Sequence, residues 1–318
     1  MADMADNLIV VKKQKLTLSI SQIAPLIGLD NYNNFARIFC DIWRKYKPNE
    51  FREYEIRLKM EGNKLANANE MNDIWEIDEA LGTNIMTQIK ELTSNKDKTS
   101  GDLVKLQDEI AMYINKQENL SGLDKLQKDD LIKKVCSITN KSHGINNENA
   151  ILTEFCRLSE KVLQQEQGWV EIPLITSNLI EWIIIGKYDG ITTDNELVEA
   201  KMRQKCLFKK VRDYENIQVQ LYLHGLAFQK GYLIEAFTNK TSNKKDAKSS
   251  SSNVMKLGVH EIQYDKEYVC EIILERLKQF AKFFETIMLD ENQKMNLLKG
   301  DVNRSIYKIY ELDYLGIF

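Results

Sequence analysis

The chain has few of the residues that staple, break or anchor a fold. Its five cysteines (Cys40, Cys136, Cys156, Cys206, Cys270) are scattered with no Cys-x-x-Cys pair. That spacing disfavours a structural zinc or an iron–sulfur cluster and fits reduced thiols in a cytosol-like compartment. No run of 18 apolar residues exists, and the opening MADMADNLIVVKKQK lacks the apolar core of a signal peptide; neither membrane insertion nor secretion is expected. Gly-x-x-x-x-Gly-Lys, His-Glu-x-x-His, Gly-x-Ser-x-Gly and Gly-x-Gly-x-x-Gly are all missing, which leaves ATPase, zinc-protease, serine-hydrolase and dinucleotide readings without a motif. Prolines number three among 318 residues, while Asn, Lys and Ile are abundant, a bias that AT-rich coding produces.

Nor is there a net positive charge. The formal balance of −3 excludes a globally basic nucleic-acid binder, so any phosphate contact must be local. Residues 201–212 (KMRQKCLFKKVR) hold six basic residues and no acid. A basic stripe of this kind suits a phosphate backbone, with Arg203, Lys205 and Arg212 as the candidate contacts; a solvated face is the plainer alternative for Lys209 and Lys210.

The stripe follows the most strand-like part of the chain. Trp182–Lys187 is a short apolar run and Glu196–Lys201 alternates, with Tyr188, Asp189, Gly190 and an Asp194–Asn195 turn between them. This predicts a hairpin with Asp189 at the end of one strand and Glu199 inside the next. Side chains alternate along a strand, so Glu199 and Lys201 share a face while Val198 and Ala200 point the other way. Two carboxylates about 4 Å apart repel by roughly 4 kcal/mol at an effective dielectric near 20, so a cation is needed between them. Hard ions such as Mg²⁺ or Mn²⁺ take such oxygens together with substrate phosphates. A neighbouring lysine can orient the attacking water and stabilise developing charge. Asp-x9-Glu-x-Lys thus reads as a phosphodiester-cleaving centre, or more blandly as a strand edge with an ion pair. Glu-x-Lys occurs only once in the chain.

Four pieces in order extend this pattern: LTLSISQIAPLIGLDNY (16–32), HGINNENAI (143–151) with Gly144 and Glu148, the hairpin with Asp189-Gly190 and Glu199-Ala200-Lys201, and Gln218-Val219-Gln220-Leu221-Tyr222. Together they resemble the PD-(D/E)xK nuclease superfamily, and within it the lambda-type (YqaJ-like) viral exonucleases. The resemblance covers about two-thirds of the chain and implies a restriction-endonuclease-like α/β core, a mixed central sheet flanked by helices, with helical N-terminal and inserted segments. It also implies a metal-dependent deoxyribonuclease working 5′→3′ from double-strand ends in recombination, repair or replication. Asp189, Glu199 and the Ala200 carbonyl would hold Mg²⁺ or Mn²⁺, with Glu148 as a third acid. Lys201 would position and activate water, Gln218 would order it, and Ser21 would help hold a 5′-phosphate. The family's upstream arginine has no match; Lys12, Lys13 and Lys15 stand nearby. A ring-shaped trimer, a single-strand annealing partner and a cytoplasmic or viral replication compartment are further implications. A structure-specific endonuclease and an inactive DNA-binding scaffold are the alternatives.

The remaining expectations concern organisation. Residues 1–49 read as the N-terminal helical part, including a helix pair over 16–47 that Thr17, Ser19 or Ser21 caps. Residues 50–142 read as a helical insertion, with helical stretches near 74–89, 102–117 and 122–138. Residues 143–289 form the nuclease core: a helix over 144–167 with Glu148 near its start, a first strand over 169–175, a helix over 214–229, paired strands 231–237 and 256–264, and an amphipathic helix over 268–289. Residues 290–318 form a tail. His224 has no partner at ligand spacing and reads as a packed helix residue.

Overall fold

The computed structural model describes residues 13–30, 35–61, 74, 77–79, 82, 84–87, 100–116, 123–177, 179–240 and 253–299. Its strands are β1 (Gln14–Ser19), β2 (Leu163–Thr176), β3 (Ile180–Thr192), β4 (Leu197–Met202), β5 (Lys230–Lys240) and β6 (Asn253–Gln263). Its helices are α1 (Ile23–Leu26), α2 (Phe35–Tyr46), α3 (Pro48–Met60), α4 (Ser100–Lys116), α5 (Lys125–Ser159), α6 (Asp213–Leu226), α7 (Glu275–Ile287) and α8 (Glu291–Leu298). A 3-10 turn (Ile20–Gln22) precedes α1, and a π-helical segment (Tyr268–Leu274) leads into α7. The strands form one six-stranded mixed sheet in the order β1-β3-β4-β5-β6, with β2 also paired to β3. This is the predicted α/β architecture, a mixed central sheet flanked by helices.

The long strand β3 organises the sheet. Along one edge, antiparallel β2 pairs from Glu181 to Thr192. The opposite edge is shared: parallel β1 covers Ile180 to Ile185, and antiparallel β4 pairs only at Gly190 and Ile191. Residues 186–189 therefore lie where that edge has no strand partner among the described residues. Beyond β4 the sheet continues through parallel β5 and antiparallel β6.

Each face is buried by a different helix group. The main core joins Leu16, Leu18, Phe39, Trp43, Trp182, Ile184, Leu197, Leu221, Phe280 and Phe284 across β1, α2, β3, α6 and α7. On the other face, Ile151, Leu152 and Phe155 of α5 pack on Val198, Ala200, Tyr232, Ile234 and Ala236 of β4 and β5. Strand β4 is therefore buried on both sides, as a parallel-paired central strand requires. A satellite cluster (Ile74, Ile85, Leu103, Ile110, Ile114, Leu131, Val135) gives the inserted helices a core of their own.

Several expectations are corrected. The helix pair over 16–47 begins instead with β1: buried Leu16 and Leu18 alternate with less buried Lys15, Thr17 and Ser19, a period of two whose partner lies far along the sequence in β3. The helix expected to start at Gly144 is the second half of α5, which begins at Lys125 behind a capping box between Asp124 and Gln127. The expected 142/143 boundary thus falls inside one helix. A mid-helix glycine costs about 1 kcal/mol, which burial of α5 against both the satellite cluster and the sheet offsets. The same helix ends at Ser159, and residues 163–167, expected to be helical, open β2. Asp189 lies within β3 rather than at its end. The expected tail includes α8, capped by Asp290, whose Lys294 is buried in an ion pair with Glu50 at 2.9 Å. The expected helix over 74–89 lies largely, and Lys12, Tyr32 and residues 300–318 wholly, outside the described residues.

Candidate active site

The predicted acids meet at the gap in the β3 edge. Past the Gly190–Val198 pair, β3 and β4 separate, so the Ala200 N–H has no ladder partner on that side. Asp189 supplies one: its Oδ2 accepts the Ala200 N–H at 2.8 Å. Glu199, 2% exposed, and Lys201 project together from β4. Lys201 Nζ donates to Glu199 Oε1 at 2.7 Å and to Gln218 Oε1 at 3.2 Å. Gln218 Nε2 donates to the same Glu199 oxygen at 2.8 Å and to Tyr222 Oη at 3.3 Å. Tyr222, one turn along α6, donates its hydroxyl to the Lys187 carbonyl at 2.7 Å, which satisfies a β3 carbonyl next to Asp189. Gly186 makes this approach feasible, because a Cβ there would lie 2.6 Å from both Ile20 Cδ1 and Tyr222 Cε1.

The charges in this cluster do not balance. Burial pushes the Glu199 carboxyl up to about 8, with the Asp189 and Glu148 charges adding and the Lys201 ammonium opposing. Burial likewise raises Asp189, against the pull of the Ala200 N–H and of Lys201 and Lys187. Glu148, half-buried on α5, is pushed up to about 7 by burial and by the Asp189 charge. Burial works to lower the Lys201 pKa, but the carboxylates of Glu199, Asp189 and Glu215 together outweigh it and hold the group above its ordinary value. Lys201 is therefore an ammonium at neutral pH.

One atom has nothing to bind. Glu199 Oε2 is buried and has no hydrogen-bond partner among the described residues, whereas a buried carboxylate oxygen normally accepts at least one bond. A buried carboxyl that lacks a matching cation when it ionises, beside a second acid, fits a hard divalent cation, which takes oxygen ligands from one or two carboxylates and leaves other positions to water and phosphate. Among the described residues, no three His, Cys, Asp or Glu side chains converge into a ready-made metal cluster. Asp189 and Glu199 are thus the pair suited to an ion, with Glu148 near enough to feel their charge.

The predicted DNA contacts divide. Lys205 is exposed, with Lys209 and Lys210, on the loop after β4. Arg203 is not a surface contact. Its guanidinium donates to Glu215 at 2.6 and 2.9 Å and to Glu235 at 2.8 Å, and all three groups are buried. The acids that claim it lie on α6 and β5, which hides the pairing from a local reading. Arg212 is half-buried at the start of α6, bonded to Tyr214 Oη at 3.1 Å. Ser21 is exposed, with its Oγ 3.0 Å from Ser19 Oγ, in a 3-10 turn of three residues followed by a four-residue helix. Elements this short add little helix dipole to whatever a phosphate would gain from the Ser21 hydroxyl. His224 bonds Tyr264 Oη at 2.7 Å as a packing residue. Lys187, exposed and acting electrostatically on Asp189 and Glu148, is a site residue that the sequence motifs do not mark.

No protein-family model matches the chain, and no curated protein does. Solved structures do. An alkaline exonuclease, LHK-Exo, from Laribacter hongkongensis is 12% identical, over 63% of this chain and 90% of its own, with a TM-score of 0.33. A phage related exonuclease from Haemophilus somnus 129PT is 14% identical, over 47% and 72%, with a TM-score of 0.36. The structure of SSO0001 is 12% identical, over 63% and 83%, with a TM-score of 0.33.

Proposed function

We propose that this chain is a metal-dependent deoxyribonuclease, a 5′→3′ exonuclease acting on the ends of double-stranded DNA in recombination, repair or replication. The observation that carries the nuclease reading is the convergence of Asp189, Glu199, Lys201 and Gln218 on one edge gap, with Glu199 Oε2 buried and, among the described residues, unpaired. The end preference and polarity follow from the sequence resemblance. A Mg²⁺ or Mn²⁺ ion held by Asp189, Glu199 and the Ala200 carbonyl, with Glu148 beside them, supplies Lewis acidity toward the phosphate and its attacking water when bound.

The side chains do the rest. Lys201, already an ammonium, faces the negative charge that grows on the phosphoryl oxygens and orients the water, where a fixed cation lowers the barrier most. Gln218 holds Lys201 and Glu199 in register, so that neither has to reorganise during the reaction. Tyr222 fixes Gln218 and ties α6 to β3. Glu148, half-buried beside the Asp189–Glu199 pair, adds a third acid on the side of α5. Attack on phosphorus would leave a 5′-phosphate product.

The test is digestion of a linear duplex labelled at either end, with Mg²⁺, alongside Lys201→Ala and a covalently closed circle. Release of mononucleotides from the 5′ end only, a drop of about 10²-fold or more in Lys201→Ala and untouched circles are expected. Nicked circles would replace the exonuclease with a structure-specific endonuclease. Binding without cleavage in either Mg²⁺ or Mn²⁺ would leave only a scaffold.

A further inference from the structure

The loop of residues 203–212 joins the strand that carries Glu199 and Lys201 to the helix that carries Gln218. Between its two end arginines it is fastened at Phe208. The Phe208 N–H donates to Glu235 Oε2 at 2.7 Å. Its ring is shared by two guanidinium groups, Arg203 at 4.4 Å and Arg212 at 3.8 Å from the centroid. Glu235 is fully buried on β5, and its other oxygen takes Arg203, which also reaches Glu215 in the first turn of α6. One aromatic side chain thus closes a buried set of charges that links β4, β5, α6 and the loop backbone. Leu207 beside it lies over Gly258 of β6.

Around this anchor Lys205, Lys209 and Lys210 are exposed, and none has an ion-pair partner among the described residues. That is unlike the lysines at the far end of the same strand, where Lys161 and Lys230 are engaged by Glu196, and Lys230 by Glu261 as well. The two arginines of the loop are directed inward to Phe208 and the buried acids, so its outward charge is carried by ammonium groups alone.

We propose that Phe208 is a positioning residue that locks this loop into a platform, on which Lys205, Lys209 and Lys210 take the phosphodiester backbone of the strand entering the site. The proposal rests on reading the site as a nuclease. A pinned loop loses little freedom when the strand arrives, whereas the same ammonium groups on a mobile loop would have to be ordered at each binding event. It also assigns Arg203 and Arg212 to holding the platform, not to touching phosphate.

The experiment compares the wild type, Phe208→Ala, Phe208→Tyr and the triple Lys205→Gln/Lys209→Gln/Lys210→Gln. Binding of a labelled duplex is measured across salt with Ca²⁺ in place of Mg²⁺, and steady-state cleavage with Mg²⁺. Phe208→Ala and the triple variant are each expected to flatten log Kd against log salt by about two to three, and their combination to add nothing further. In turnover, Phe208→Ala is expected to raise KM about tenfold with little change in kcat, and Phe208→Tyr to restore it. A wild-type salt slope in the triple variant overturns the platform. A loss in kcat without KM, or additivity of Phe208→Ala with the triple, overturns the role of Phe208. The triple variant touches only surface groups, so the binding test stands even where Phe208→Ala fails to fold. Absence of cleavage by the wild type would sink the nuclease reading while leaving the binding comparison readable.

Discussion

Replacing Glu199 with glutamine tests whether the site carries buried charge without a matching cation. Glu199 is 2% exposed, and its carboxyl stands at about 8 against an ordinary 4.5. The sign follows directly: the folded protein holds this proton more tightly than the unfolded chain does. Its stabilising contribution is therefore complete below 4.5 and is lost as pH rises through about 8. Fully developed, the difference corresponds to about 5 kcal/mol. Between about pH 5.5 and about pH 7.5 roughly half of it is spent, about 2–3 kcal/mol. For 318 residues this is a fall in Tm of roughly 4 °C. Glutamine keeps an oxygen for Lys201 and Gln218 but cannot ionise, so Glu199→Gln is expected to lose the Glu199 share of the fall and to keep the smaller share of Glu148, whose carboxyl stands at about 7. A divalent ion binding the ionised site is expected to remove it from the wild type and to leave the variant unmoved. The assay is thermal unfolding of both proteins across pH, with and without Mg²⁺ at constant ionic strength. A wild-type Tm that rises over this window, or the same slope in both proteins, would refute the account of an uncompensated buried carboxylate.

Two further outcomes follow from the packing around the site. Arg203→Ala leaves Glu215 and Glu235 buried without their partner, and a loss of about 3–5 kcal/mol is expected in urea unfolding; a neutral result would mean that the pairing is not formed in solution. Gly186→Ala drives a methyl group against Ile20 and Tyr222 at 2.6 Å, an overpacking worth about 1–3 kcal/mol. It is expected to lower cleavage through the displaced Tyr222–Gln218 bond, and unchanged kcat would show that α6 needs no such tie.

Part of the candidate site was legible in the sequence alone. Asp189 came from the hairpin pattern, and Gln218 from the sequence resemblance; Glu199 and Lys201 were legible because strand alternation, a local rule, sets them on one face. The strands β5 and β6 were legible for the same reason. What depended on distant partners was not. Strand β1 reads as a cap region until β3 is beside it, and α5 reads as two helices until the sheet and the satellite cluster bury both halves. Arg203 reads as a phosphate contact because its acids lie on β5 and α6, and burial decides whether a guanidinium serves solvent or structure. Only the tertiary structure opened the gap along β3 between the pairing of β1 and that of β4. In that gap a backbone N–H falls to Asp189, and a carboxylate oxygen of Glu199 is left with no partner among the described residues.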